Sequence, residues 1–165
     1  MKPALCLVAG MSAALLTGTS AMAQDLESYG TVGVWEILID PTVGNGCLIN
    51  AAFEDGSDVR IGFDVAANTG YLMAANAAWG DIVVDQEYPV KFDLDGTPYE
   101  GVGKGIVIDD VPGVDISFDS MDFLTDLAAK NTMTLFSADT EVMKIDLADS
   151  DGALLKAIEC QEAQN

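Results

Sequence analysis

The chain of 165 residues contains no histidine, and its 7 basic residues are outnumbered by 27 acidic ones. Without imidazole, Ser-His-Asp triads and most catalytic zinc sites cannot be built. The formal charge of −20 repels a phosphate backbone, which excludes nucleic-acid binding as a function class. Half of the residues are nevertheless hydrophobic. Length and composition therefore indicate one compact domain with a single core, not a disordered chain.

Motifs for catalysis and for cofactor binding are also missing. No G-x-S-x-G or S-x-x-K pattern occurs, and Gly103-Lys104-Gly105 lacks the spacing of a phosphate-binding loop. The segment 93–100 has the carboxylates of a calcium loop, but its glycine falls too early. A hairpin turn at Asp95-Gly96 is the better interpretation, with calcium binding as the alternative. We therefore expect no cofactor and no resident metal ion, and a protein that is not an enzyme.

Residues 1–23 are predicted to be a secretory signal peptide. Lys2 supplies the positive n-region, an apolar stretch follows, and Ala21-Met22-Ala23 fits the A-x-A cleavage rule. The apolar stretch is about 13 residues long, short of the roughly 20 that span a bilayer. We expect a periplasmic or secreted protein whose mature part, residues 24–165, is a single β-rich domain without a membrane span.

Two cysteines, Cys47 and Cys160, remain once Cys6 leaves with the signal peptide. An even pair in an oxidising compartment predicts a disulfide that joins an early strand to the last helix. In the chain-entropy account, a crosslink that closes so long a loop stabilises the fold by about 4–5 kcal/mol. A metal or redox pair is the alternative, but the sequence has no C-x-x-C motif and no histidine to complete such a site.

Alternation of apolar and polar residues dominates the predicted mature chain. Such runs, separated by turn signals such as Asp55-Gly56 and Asp95-Gly96, are typical of half-buried antiparallel strands. They lie at residues 34–39, 47–53, 59–65, 71–75, 88–94, 99–108, 114–118, 133–135 and 143–147.

Two segments have helical spacing instead. The first covers residues 121–130, and the second begins at a Ser150 cap and turns Cys160 toward the core. The fold class predicted from these patterns is α+β, mostly antiparallel β in a sandwich or barrel-like arrangement, with two short helices, the last near the C-terminus.

The candidate partner-binding residues are Trp79 and three members of an acidic run, Asp109, Asp110 and Asp115. Acidic residues this close attract cations, although most such runs are solvated turns. Trp79 stands at a predicted strand end, where a half-exposed tryptophan can anchor a ligand or a partner. Trp35 alternates with apolar neighbours and is predicted to lie in the core. We expect the partner to be a protein or an envelope component of cationic character.

The second half of the chain resembles the invasion-associated locus B family of small exported proteins from alphaproteobacteria. The matching features are the strand and Asp-Gly turn of residues 92–96, the strand-to-helix segment 116–130, Met133-Thr134-Leu135, and the closing pattern of residues 145–154. The chain is also similar to exported proteins of the same bacteria that keep one cysteine after the tryptophan strand and one near the C-terminus. Family members usually carry further cysteines in the middle of the domain, and this chain has none there.

The resemblance implies a periplasmic or envelope domain, rich in β-structure, with a role in host interaction, and it supplies no catalytic residue. The leading hypothesis is therefore a non-enzymatic interaction domain of the bacterial envelope. A second hypothesis is an acidic inhibitor of a basic hydrolase such as a lysozyme, with segment 104–122 entering the cleft of the enzyme under electrostatic steering. A third is a carboxylate-based hydrolase, which needs two acids held about 5–10 Å apart.

Overall fold

The computed structural model describes residues 25–119 and 122–164. The predicted signal peptide, residues 1–23, lies outside the described residues, as does Met121 of the first predicted helix. The strands are β1 (Glu27–Val32), β2 (Trp35–Asp40), β3 (Gly46–Ala52), β4 (Ser57–Asp64), β5 (Thr69–Asn76), β6 (Glu87–Leu94), β7 (Thr97–Ile108), β8 (Val111–Phe118), β9 (Thr132–Ser137) and β10 (Thr140–Asp146). The helices are α1 (Asp122–Ala128) and α2 (Ser150–Ala163), and short 3-10 turns lie at Pro41–Val43 and Ala77–Trp79.

All ten strands belong to one antiparallel sheet in the order β1-β2-β3-β4-β5-β8-β7-β6-β9-β10. The predicted class, mostly antiparallel β with two helices of which the last is near the C-terminus, is confirmed. Within the described residues, β1 and β10 are the edges of the sheet, which is therefore not a closed barrel.

The sheet curls so strongly that its two ends meet. Trp35, at the start of β2, donates its indole N–H to the carbonyl of Ala148, two residues after β10, at 3.0 Å. In a flat sheet the eight strand spacings between β2 and β10 would separate them by roughly 38 Å. The inner face is thus wrapped around one core, in which Trp35 and Ile37 from one end lie with Met143 and Ile145 from the other.

Helix α2 covers the inner face at the β1–β3 end, and the disulfide attaches it there. Cys47 in β3 and Cys160 in α2 are bonded, with their Cα atoms 6.1 Å apart and 113 positions apart in sequence. Both residues are completely buried. The Gln161 side chain also accepts a hydrogen bond from the Cys47 backbone N–H at 2.9 Å. The predicted crosslink between an early strand and the last helix is confirmed.

Three local features differ from the sequence-based predictions. The patterns missed β1, because its side chains are largely exposed and a register shift near Gly30 interrupts its alternation. Strand β8 begins at Val111, three residues before the predicted run 114–118, because the turn lies at Asp109 and Asp110, which both adopt the positive φ that a two-residue hairpin turn requires. Helix α2 has Asp149 at its N-cap position, and Ser150 is its first, fully buried residue.

Removing the disulfide is expected to lower the free energy of unfolding by most of the disulfide's entropic contribution. The double variant Cys47→Ala/Cys160→Ala should lose about 2–5 kcal/mol of unfolding free energy, because the unfolded chain regains the freedom of the closed loop. Urea denaturation with and without reductant measures this. Reductant should lower the urea midpoint of the wild type toward that of the variant and leave the midpoint of the variant unchanged. Equal midpoints for all samples would contradict the prediction.

Candidate functional site

An apolar cleft of about 360 Å³ opens between the turn that follows β5 and strands β6, β9 and β10. Trp79 and Ile82 line it on the side of the turn, and Leu135, Phe136 and Val142 line it on the side of the strands. Trp79 is half-buried and packs against the core. The sequence-predicted anchor therefore lies in the wall of a real cavity.

Local polar contacts place Trp79 in this wall. The side chain of Asn76, at the end of β5, accepts the backbone N–H of Ala78 at 2.8 Å and so starts the 3-10 turn. Its amide also donates to the hydroxyl of Ser57 at 3.0 Å. Gly80, with φ of 70°, then ends the turn. Asn76 thus joins the turn to β4, because one side chain serves both as N-cap and as a buried crosslink.

A β-bulge supplies the partner of the Trp79 indole. The register between β9 and β10 shifts between Glu141 and Met143, so Val142 has no partner in the ladder. The Trp79 indole N–H donates to the carbonyl of Val142 at 3.2 Å. This contact spans five positions in the strand order and requires the same curvature that brings Trp35 to Ala148.

The remaining wall depends on the segment between the turn and β6. The hydroxyl of Tyr88 accepts the backbone N–H of Val83 at 2.9 Å. Asp85 and Gln86 exchange backbone hydrogen bonds with Gly105 of β7 at 2.9 and 2.8 Å. A Cβ on Gly105 would collide with the carbonyl of Val83, so this close approach requires glycine.

The lining of the cleft carries no charged side chain, and the side-chain hydroxyls in it belong to Tyr88 and Ser137. Among the described residues, no group of three or more acidic residues or cysteines is placed to hold a metal ion. The cleft therefore offers an apolar contact surface beside an amphipathic indole.

The predicted acidic residues lie elsewhere and do not form one site. Asp109 and Asp110 form the exposed tip of the β7–β8 hairpin. The carboxylate of Asp109 pairs with the Arg60 guanidinium at 3.0 Å. Asp115 is half-buried on β8, between Met73 and Lys104 of the neighbouring strands.

Asp115 and Trp79 lie on opposite faces of the sheet. Val114 lines the cleft, and successive side chains of a strand alternate between faces, so Asp115 points away from the cleft. Burial raises the pKa of Asp115 above its ordinary value of 3.8, and the Lys104 ammonium partly offsets this. Asp115 is thus a structural carboxylate with an unfavourable environment for its charge.

The fold is an open, curled antiparallel sheet with a C-terminal helix packed on one end, and the cleft is an apolar cavity beside Trp79. The crystal structure of invasion associated protein B from Bartonella henselae is similar, with a TM-score of 0.57 and 17% identity over 84% of this chain and 99% of the other. At this identity the likeness shows a common fold, which supports the resemblance drawn from the sequence. No protein-family model and no curated protein matches the chain. No described helix is long and apolar enough to cross a bilayer.

Sequence patterns missed every cleft residue except Trp79. Tyr88, Val90 and Leu135 were predicted as strand residues of a β-sheet core. The bulge at Val142 leaves no sequence signal, because it depends on how β9 and β10 pair.

The two tryptophan contacts should differ in strength. Trp35→Phe should cost about 2–3 kcal/mol of unfolding free energy, because it leaves a buried cavity and an unpaired carbonyl at Ala148. Trp79→Phe should cost about 1 kcal/mol or less, because water can reach the half-buried site. Urea unfolding of both variants measures the difference, and equal losses would show that the Trp79 contact is as deeply buried as that of Trp35.

Asp115→Asn should stabilise the protein at neutral pH. A carboxyl whose pKa is raised on folding carries a cost above that pKa, and the cost disappears as pH falls below the ordinary value. The midpoint of thermal unfolding should therefore rise at pH 7, and the gain should vanish below about pH 3.8. Asp110→Asn, an equal charge change at the exposed hairpin tip, is the control; the same gain in both variants would assign the effect to net charge.

Proposed function

We propose that the chain is an exported, non-enzymatic binding protein of the bacterial envelope that holds an apolar group of its partner in the cleft beside Trp79. The observation that carries this proposal is the cleft itself. It is open, uncharged and built around a half-buried tryptophan, the residue type most enriched at binding hot spots.

Export is supported by two features. Residues 1–23 have the composition of a signal peptide, and the disulfide between Cys47 and Cys160 is of the kind that persists in oxidising compartments. The protein of similar fold is named invasion associated, which is compatible with a partner on an envelope or host surface.

A non-enzymatic role is supported by the distribution of carboxylates. A glycosidase needs two acids on either side of its substrate, whereas the lining of the cleft has none. Asp109 is engaged with Arg60, and Asp115 lies on the opposite face. The uncharged lining of the cleft therefore favours a binding role over the hydrolase hypothesis.

The acidic-inhibitor hypothesis has weaker support than the cleft. Of the acids in segment 104–122, Asp109 already has a partner and Asp115 is half-buried within the sheet. Asp110 and Asp119 are exposed and form no ion pair among the described residues. Two separate exposed carboxylates provide limited electrostatic contact.

Filling the cleft tests the proposal. Ala78 lines the cleft and is exposed, so Ala78→Leu should occupy its volume without disturbing the core. Binding of the neutral dye Nile red, followed by fluorescence, should weaken about 10-fold, which corresponds to the loss of about 1.4 kcal/mol.

Ala77→Leu is the matched control, because Ala77 lies on the same turn, is exposed and does not line the cleft. It should bind the dye like the wild type. Equal binding by all three proteins, or no binding by the wild type, would refute the proposal.

A further inference from the structure

The rim of the cleft is acidic. Three exposed carboxylates are the chain neighbours of residues that line it, in a loop, a turn and beside the β-bulge: Asp81 precedes Ile82, Asp139 follows Ala138, and Glu141 precedes Val142. Among the described residues, Lys91, paired with Asp139 at 2.9 Å, is the one basic side chain bonded to this set of three.

The size and openness of the cleft suit a side chain. Its volume of about 360 Å³ is near the lower end of the range of about 300–1,000 Å³ for small-molecule pockets. Ala78, Pro89 and Ser137 in its lining are exposed, so the cleft is an open depression and not a tunnel for a long chain. One large apolar side chain of a partner, inserted as an anchor, fits this shape.

The apolar surface continues beyond the cleft. Val83 and Val84, next to the lining residue Ile82, are 55% and 53% exposed. Adjacent exposed valines beside an open cleft are typical of a surface that a macromolecular partner covers. A small ligand confined to the cleft would leave both valines in water.

On these observations, and on the proposed function on which this step rests, we infer that the occupant is an apolar side chain carried by a basic segment of a partner protein. The three carboxylates of the rim, of which Asp139 is paired with Lys91, attract flanking lysine or arginine residues. They repel the anionic headgroup of a fatty acid or an acidic phospholipid, which would have to lie at the mouth of the cleft.

Paired peptides test the inference. Two capped pentapeptides, KGWGK and EGWGE, present the same indole with opposite flanking charges, and displacement of Nile red measures their binding. At low salt the basic peptide should bind at least about 10-fold more tightly. The preference should shrink at about 0.5 M salt, where charges are screened beyond roughly 4 Å.

Two charge variants locate the effect. Asp81→Asn/Glu141→Gln should reduce the preference for KGWGK several-fold and leave Nile red binding unchanged. Asp25→Asn/Glu162→Gln removes the same charge from exposed positions that do not line the cleft, and it should keep the preference. Equal effects of both variants would assign the preference to net charge and overturn the inference.

Lipid is the competing occupant. Vesicles of phosphatidylglycerol should not bind the protein in a flotation assay, which is run without Nile red because the dye itself partitions into bilayers. If the dye binds at the cleft but the two peptides compete equally, or if the protein floats with the vesicles, the inference is wrong while the proposed function stands. If neither the dye nor the peptides respond to Ala78→Leu, the proposed function itself fails.

Discussion

The structure depends on the contact between the two ends of its sheet. Ten strands in one sheet can enclose a core only if the sheet curls until its ends meet, and the bond from Trp35 to the Ala148 carbonyl marks that meeting. The disulfide fastens α2 across the same end, so that the inner faces of β1–β3 and β10 share one apolar interior. Because both contacts join residues more than 110 positions apart, the core forms only when the whole chain is in place.

The cleft is a consequence of the same curvature. A flat sheet would place β5 and β10 roughly 24 Å apart, beyond the reach of a three-residue turn. In the curled sheet the turn after β5 reaches the bulge at Val142, and Trp79 satisfies the carbonyl that the bulge releases. The space left between this turn and the strands is uncharged, whereas its rim carries the acidity found throughout the chain. The cleft thus arises where the turn after β5 meets the bulge in β10.

Much of the fold was predictable from local pattern. Period-two alternation located nine of the ten strands because one face of each is buried in the core, and helical spacing located both helices. The missed strand, β1, is an exposed edge held by hydrogen bonds to β2, which hydrophobic alternation does not report. Of the residues that line the cleft, sequence reasoning identified only Trp79 as a candidate site residue. Asp109 and Asp110 act as turn residues, and Asp115 lies on the face opposite the cleft, because strand alternation and hairpin geometry decide where each carboxylate points.

The sequence by itself determined the fold class, the Cys47–Cys160 crosslink, the exclusion of imidazole chemistry and the acidity of the surface. These follow from composition, from short-range periodicity and from a cysteine count that allows one pairing once Cys6 leaves with the predicted signal peptide. Only the tertiary structure decided the strand order, the curl of the sheet, the pairing of Trp79 with Val142 and the separation of the acids from the cleft. Each of these depends on contacts between residues far apart in the chain, and local pattern carries no information about which distant strands become neighbours.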